Sequence, residues 1–378
     1  MPRQRIMISI MSATRVTTLV AALALPAGTP LAQQNDPGAD AVRVSTGQNT
    51  TVSLIGGGPG STDTRIAADI AEVLDDGDRL RVLPMLGRGS VQNIADLIYL
   101  KGVDVAIVHG DALTQTMQRG SIPREASVQY IAKLFQEEIH VLARKDIVSL
   151  NDLNGKIVSI GPMGSGTELT ASTVLEMAHV TPNIMHESQS LALDRLRRGE
   201  IAAMFVVGGK PVPMLQAIEP GTGLHFLAIP LNAQLVDTYL PTSLDHQRYP
   251  SLVPPGPPVD TLAVSSILVT LSASADSQRA KRVNRFVDTL FERFDQFAQP
   301  GFHPKWQEVN LSTQVQGWTR YPEAQNFLKK DQPAETDLRT SFDAYLNQSG
   351  QKISGMSNDR RDTLFRDFLR WREQHSGP

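Results

Sequence analysis

The chain has 378 residues, no cysteine, and 36 basic against 39 acidic side chains, for a formal charge of −3. That length suits two domains or one large α/β unit, and a hydrophobic fraction of 41% is enough for real cores, which excludes wholesale disorder. The missing cysteines exclude a disulfide scaffold, a thiolate zinc site, an iron–sulfur cluster and a thiol nucleophile. The balanced charge gives no basic footprint for nucleic acid. A soluble α/β enzyme or a binding protein remains.

Arg3, Arg5 and Arg15 are the only charges before Asp36. A short apolar run over 16–27 follows them, too short for a membrane-spanning helix, and it exits through Thr29-Pro-Leu-Ala32. A basic start, an apolar middle and a small-residue exit predict a secretory signal peptide over 1–32, cleaved after Ala32. Its removal takes away three arginines and no acid, moving the charge from −3 to −6. Residues 33–43 read as a flexible tether, and the mature chain is expected in the periplasm.

Thr51-Val-Ser-Leu-Ile55 predicts a strand that runs into Gly56-Gly-Gly-Pro-Gly-Ser-Thr62. Beyond it Ile66, Ala67, Ile70, Ala71, Val73 and Leu74 recur with helical spacing, and Ser61 or Thr62 serves as N-cap. A hundred residues later the pattern returns: Lys156-Ile-Val-Ser-Ile160 is a strand, Gly161-Pro-Met-Gly-Ser-Gly-Thr167 a turn, and a helix starts at Glu168. Each unit leads into a second one, a helix from Ser90 and a buried strand to Val108 in the first half, a helix from Ser190 and a strand to Val207 in the second. Alternating strands and helices predict parallel sheets with right-handed crossovers, and ligands beyond the carboxyl ends of the strands. Strand-like stretches at Glu138–Arg144 and Thr261–Leu271 join the halves, the second after a proline-rich connector over 250–259. The expected organisation is lobe 1 from 44–137 plus 260–299, lobe 2 from 138–259, and a C-terminal extension over 300–378 packing on the lobes. Within that extension a charged helix is predicted over 360–374.

Glycine-rich turns at helix N-termini favour anions, because free backbone N–H groups and the helix dipole face the site. Neither loop carries the lysine of a triphosphate loop, a clean GxGxxG or a GxSxG, and no HExxH pair is present among eight scattered histidines. The loops therefore read as carboxylate cradles, with no catalytic residue, metal or cofactor expected.

Ile55-Gly-Gly-Gly-Pro-Gly-Ser61, Gly89-Ser-Val-Gln-Asn93, the stretch from Gly102 to Asp111, Leu153-Asn-Gly-Lys through Thr167, and Gly208-Gly-Lys-Pro211 together resemble the TAXI-type solute receptors of TRAP transporters. The resemblance runs from about Val52 to about Phe297. It implies an α/β, two-lobed periplasmic-binding-protein-like (type II) fold with a double-crossover hinge, each lobe a mostly parallel sheet flanked by helices. It also implies capture of a small organic acid or amino acid in the cleft and delivery to an integral membrane permease; the receptor itself is expected to be a monomer. Carried over residue by residue, the ligand contacts would be Gly58, Gly60, Ser61, Thr62, Ser90, Asn93, His109, Asp111, Gly164, Ser165, Gly166, Thr167, Gly208 and Gly209. In place of the aromatic pair usual after the first glycine loop stand Asp63, Thr64 and Arg65. Arg65 and Arg88 either pair with a second carboxylate or are solvated surface arginines. His109 and Asp111 either reach the ligand or close their own loop. A ligand-sensing receptor for a membrane signalling partner, and an exported serine hydrolase, are the competing readings.

Overall fold

A computed structural model of the protein describes residues 50–118, 127–331, 342 and 364–365. The expected leader over 1–32, the tether over 33–43 and, apart from Leu364 and Phe365, the helix expected over 360–374 lie outside the described residues.

The first half alternates strand and helix: β1 (Thr50–Ile55), α1 (Thr62–Leu74), β2 (Leu80–Met85), α2 (Ser90–Tyr99), β3 (Val105–His109) and α3 (Gly110–Gln118). A long strand, β4 (Val128–Arg144), then leads to β5 (Ile157–Ser159), α4 (Gly166–Met177), β6 (Asn183–Met185), α5 (Gln189–Arg197) and β7 (Ala203–Gly208). After α6 (Pro213–Gln216), β8 (Leu224–Phe226), α7 (Ala233–Thr238) and β9 (Leu240–Leu244), a second long strand, β10 (Val259–Leu271), returns. The chain continues through α8 (Gln278–Glu292) and α9 (Pro322–Asp331).

The sheet order β2-β1-β3-β10-β4-β7-β5-β6 explains why the two halves echo each other in sequence. In lobe 1, β1 lies between β2 and β3, all parallel, and β10 joins β3 antiparallel. In lobe 2, β5 lies between β6 and β7, all parallel, and β4 joins β7 antiparallel. The two lobes thus repeat one topology, and β4 and β10 are the strands each sends to the other. Together they define the two-lobed type II periplasmic-binding-protein fold. Glu138 is where β4 changes neighbour, since it pairs with both Ala263 of β10 and Gly208 of β7. β4 begins at Val128, ten residues before the strand-like stretch at Glu138, because its first part is a lobe 1 strand before it is a connector.

Each lobe has its own core. In lobe 1, Val52 and Leu54 of β1 pack against Ile66, Ile70 and Leu74 of α1 and Val283, Phe286 and Leu290 of α8. In lobe 2, Val158 of β5 and Phe205 of β7 pack against Ala171 and Val174 of α4. Each such large apolar side chain stabilises the fold by about 1.5–3 kcal/mol on burial. The segment after α8 belongs to lobe 1: Trp306 stacks on Phe297 with ring centroids 4.0 Å apart, and its indole N–H donates to the buried Asp69 at 2.9 Å.

Candidate functional site

The two equivalent glycine turns end in the same device. Ser61 caps α1, its hydroxyl accepting from the Thr64 N–H at 3.2 Å, and Ser165 caps α4, accepting from the Glu168 N–H at 3.0 Å. A serine oxygen satisfies one of the orphan amides of a helix start. Gly60 and Gly164 precede the capping serines with φ of 78° and 79°, a backbone region that favours glycine. Gly58 lies in the first turn with Gly57; the carbonyls of both accept from the Thr64 hydroxyl at 2.8 Å.

Several expected ligand contacts are engaged within the protein. Asn93 is fully buried; its side-chain N–H group donates to the carbonyls of Gly56 at 2.6 Å and Ile107 at 3.0 Å, and its oxygen accepts from the Gly89 N–H. It bolts the first glycine turn to β3. Arg65 pairs with Asp69 at 2.8 Å and donates to the Gly301 carbonyl at 2.6 Å, which ties it to the C-terminal segment. Arg88 is exposed, with neither a hydrogen bond nor an ion pair among the described residues. For Asn93 and Arg65, a protein partner already meets each polar group that the sequence reading assigned to a ligand.

Other members of the set join lobe to lobe. Asp111 accepts from the Thr170 hydroxyl of α4 at 2.7 Å and from the Tyr239 hydroxyl at 3.0 Å. Burial, with the adjacent Asp111 carboxylate, holds the Tyr239 phenol far above its ordinary pKa, so it stays a donor. The Thr62 hydroxyl accepts from the Gly209 N–H at 3.0 Å, directly after Gly208 at the end of β7. Gln115 of α3 donates to Thr173 of α4 at 2.9 Å, while within lobe 2 Thr167 accepts from the Val207 N–H at 3.3 Å. The lobes are closed on each other.

At the floor of the closed cleft His109, Asp63 and Glu137 come together, all buried. His109 ends β3, Asp63 lies in the first turn of α1, and Glu137 lies on β4. The Nε2 of His109 donates to Glu137 Oε2 at 2.5 Å and lies 3.9 Å from Asp63 Oδ2. Ser266 of β10 donates to the other Asp63 oxygen at 3.1 Å. It sits at a register shift between Ser265 and Ile267, the kind of irregularity that re-aims a side chain. Burial alone would lower the His109 pKa, but contact with Glu137, with Asp63 and Asp111 adding to it, raises it to about 9. Burial, then repulsion from Glu137, raises Asp63 to about 7.

The other ring nitrogen of His109 is the unusual atom. Nδ1 is buried and has no hydrogen-bond partner among the described residues. It faces Gly166, the first residue of α4, where a Cβ would stand 2.5 Å from Nδ1 and 2.8 Å from the Ser90 hydroxyl. Ser90 in turn accepts from the His109 backbone N–H at 2.9 Å. Closure therefore brings a positive helix end, its opening serine cap and a bare imidazole nitrogen to one point. The sequence did not single out Glu137, Ser266 or Tyr239; the acids and hydroxyls of β4, β10 and the α7–β9 junction carry no local motif, and only their place in the sheet brings them here.

A two-lobed fold with buried polar groups converging between the lobes is the architecture of the periplasmic-binding-protein-like (type II) class. The model of the NMT1-like family matches residues 55–322, most of the chain, and the protein belongs to that family. Among solved structures it is similar to a periplasmic transporter protein (14% identity over 76% of this chain and 93% of the other, TM-score 0.47). It is also similar to the periplasmic binding protein BugD (14%, 75% and 94%, TM-score 0.46). A third likeness is to the alkanesulfonate-binding protein SsuA from Xanthomonas axonopodis pv. citri bound to MOPS (13%, 69% and 82%, TM-score 0.39).

Proposed function

We propose that the protein is the extracytoplasmic receptor of a TRAP-type transporter. It captures a small carboxylate, a dicarboxylate or an amino acid such as glutamate, by hinge closure and presents it to the membrane permease without chemically changing it. The observation that carries this reading is the unpartnered Nδ1 of His109 facing the N-terminus of α4 across the lobe interface. A carboxylate entering the opened cleft would meet the amides of Gly166 and Thr167, the positive end of α4 and an imidazole N–H. Closure then favours the liganded state, because these donors come from both lobes. Export through the leader over 1–32 and the lobe boundaries near 137/138 and 259/260 belong to the same reading.

The experiment is calorimetry of the mature protein with a panel of small mono- and dicarboxylates and acidic amino acids, with the recovered compound analysed by mass spectrometry. A saturable one-to-one complex with unchanged ligand is the expected result. A panel without any binder, or a product released from the bound compound, would overturn the receptor reading.

A further inference from the structure

We infer that Asp63, His109 and Glu137 hold a divalent transition-metal ion beneath the cleft floor. One ligand atom from each, His109 Nε2 and one oxygen of each carboxylate, lie within 4.8 Å of one another, and all three residues are buried. Two carboxylates converge there on a single imidazole. Among the described residues no lysine or arginine is ion-paired with Asp63 or Glu137, whereas the neighbouring Glu138 is paired with both Lys210 and Lys305. Buried charges call for a partner of opposite sign; His109 supplies at most one positive charge to the two carboxylates, and a dication taking the place of its Nε2 proton would supply two.

The supporting contacts match those of a metal site. Zinc-type ions bind imidazole nitrogen and carboxylate oxygen at about 2.0–2.2 Å, so a tetrahedral site separates its donor atoms by roughly 3.3 Å. The His109–Glu137 distance of 2.5 Å and the His109–Asp63 distance of 3.9 Å bracket that separation. Shifts of less than about 1 Å in side chains reach it. Outer contacts that fix ligands are already in place. Ser266 donates to Asp63 Oδ1 and leaves Oδ2 toward His109, and Ser90 accepts from the backbone N–H of His109. One nitrogen and two oxygens suit zinc or manganese rather than calcium or copper(I). The three ligands come from α1, β3 and β4, so the ion would clamp a crossover strand to lobe 1. It would occupy the Nε2 side of the ring, leaving Nδ1 free toward Gly166, and its presence does not depend on which solute the cleft takes.

The test uses full-length mature protein stripped with chelator and titrated with Co²⁺, then Zn²⁺, followed by visible absorption and calorimetry. One equivalent of Co²⁺ should produce ligand-field bands that one equivalent of Zn²⁺ abolishes. His109→Gln and Glu137→Gln should each weaken binding at least 100-fold. Ser266→Ala, which disturbs only the positioning of Asp63, should weaken it about 10- to 100-fold with the bands shifted but retained. Absence of saturable one-to-one binding by the wild-type protein would overturn the inference even if the variants fail to fold. So would tight binding unaffected by His109→Gln and Glu137→Gln.

Discussion

Gly166→Ala should open the cleft. The residue is the first of α4 and has no positive φ, so alanine meets no backbone strain there. The obstacle is across the cleft. The new methyl would stand 2.5 Å from His109 Nδ1 and 2.8 Å from Ser90 Oγ, where ordinary contact requires roughly 3.5 Å. His109 is pinned through Nε2 to Glu137, and Ser90 through its hydroxyl to the His109 backbone, so neither side chain steps aside easily. Relief therefore requires the lobes to separate by about 1 Å at this point, and overpacking of this kind costs about 1–3 kcal/mol in the closed state. That is roughly a 5- to 150-fold shift toward the open state, since 1.4 kcal/mol is tenfold. The absence of native cysteine makes the assay direct. Tyr99→Cys in lobe 1 and Ile184→Cys in lobe 2 place dyes at two exposed positions. Single-molecule energy transfer between them should show Gly166→Ala populating the longer distance, with stability against urea little changed. An unaltered distance distribution would refute the idea that α4 closes onto His109.

Two further predictions concern buried charge. His140 is fully buried; its Nδ1–H donates to the Val206 carbonyl, and Nε2 accepts from the Tyr249 hydroxyl at 2.8 Å. Burial, with Lys210 and Lys305 nearby, depresses its pKa to about 3, so between pH 6.5 and 3 the unfolded chain binds a proton that the folded chain refuses, and stability falls as pH falls. From pH 7 to 5 the stability advantage of wild type over His140→Phe in urea melts should shrink by about 2 kcal/mol; a difference independent of pH would contradict the assignment. Lys305→Met should cost about 3–5 kcal/mol by leaving Glu138 and Glu308 without their buried ammonium, and adding Glu138→Gln should recover much of it. Equal urea midpoints for Lys305→Met and wild type would show that the pair contributes nothing.

The β–α alternation was readable because it is local. Ser61 capping α1, the helix through Ile66 and Ile70, and the α8 stripe of Val283, Phe286 and Leu290 all follow from spacing within a few residues. The similarity of the two halves was readable for the same reason, since each glycine turn announces a strand ending and a helix starting. The site was legible only in part. Ser90, His109 and Gly166 were marked by position at strand or helix ends, and they do meet. Asn93 was read as a ligand contact, and an asparagine that bonds a glycine turn looks the same in sequence as one that bonds a solute; its bonds to the carbonyls of Gly56 and Ile107 appear only when the fold brings them to it. Glu137 was illegible for another reason. The polar break Gln136-Glu137-Glu138 in a strand gives no sign of whether Glu137 is solvated, and its partners His109 and Asp63 come from other segments.

Glu137 and Glu138 also show why the C-terminal segment belongs to the working parts of the fold. Successive side chains of a strand point to opposite faces, so these neighbours on β4 serve different surroundings. Glu137 meets His109 at the cleft floor, while Glu138 meets Lys305, which is 1% exposed and comes from beyond α8. The same glutamate accepts from the Lys210 N–H at 2.8 Å in the turn after β7, and Gly209 of that turn donates to Thr62 of lobe 1. A Cβ at Gly209 would stand 2.8 Å from the Lys305 side chain, so the close approach of segment and turn depends on that glycine. Lys305 therefore fastens the segment at the point where β4 passes from one lobe to the other. A segment that merely wrapped lobe 1 would need only its aromatic contacts, Trp306 on Phe297; a buried ammonium placed on the crossover residue makes the hinge and the C-terminal segment one electrostatic unit.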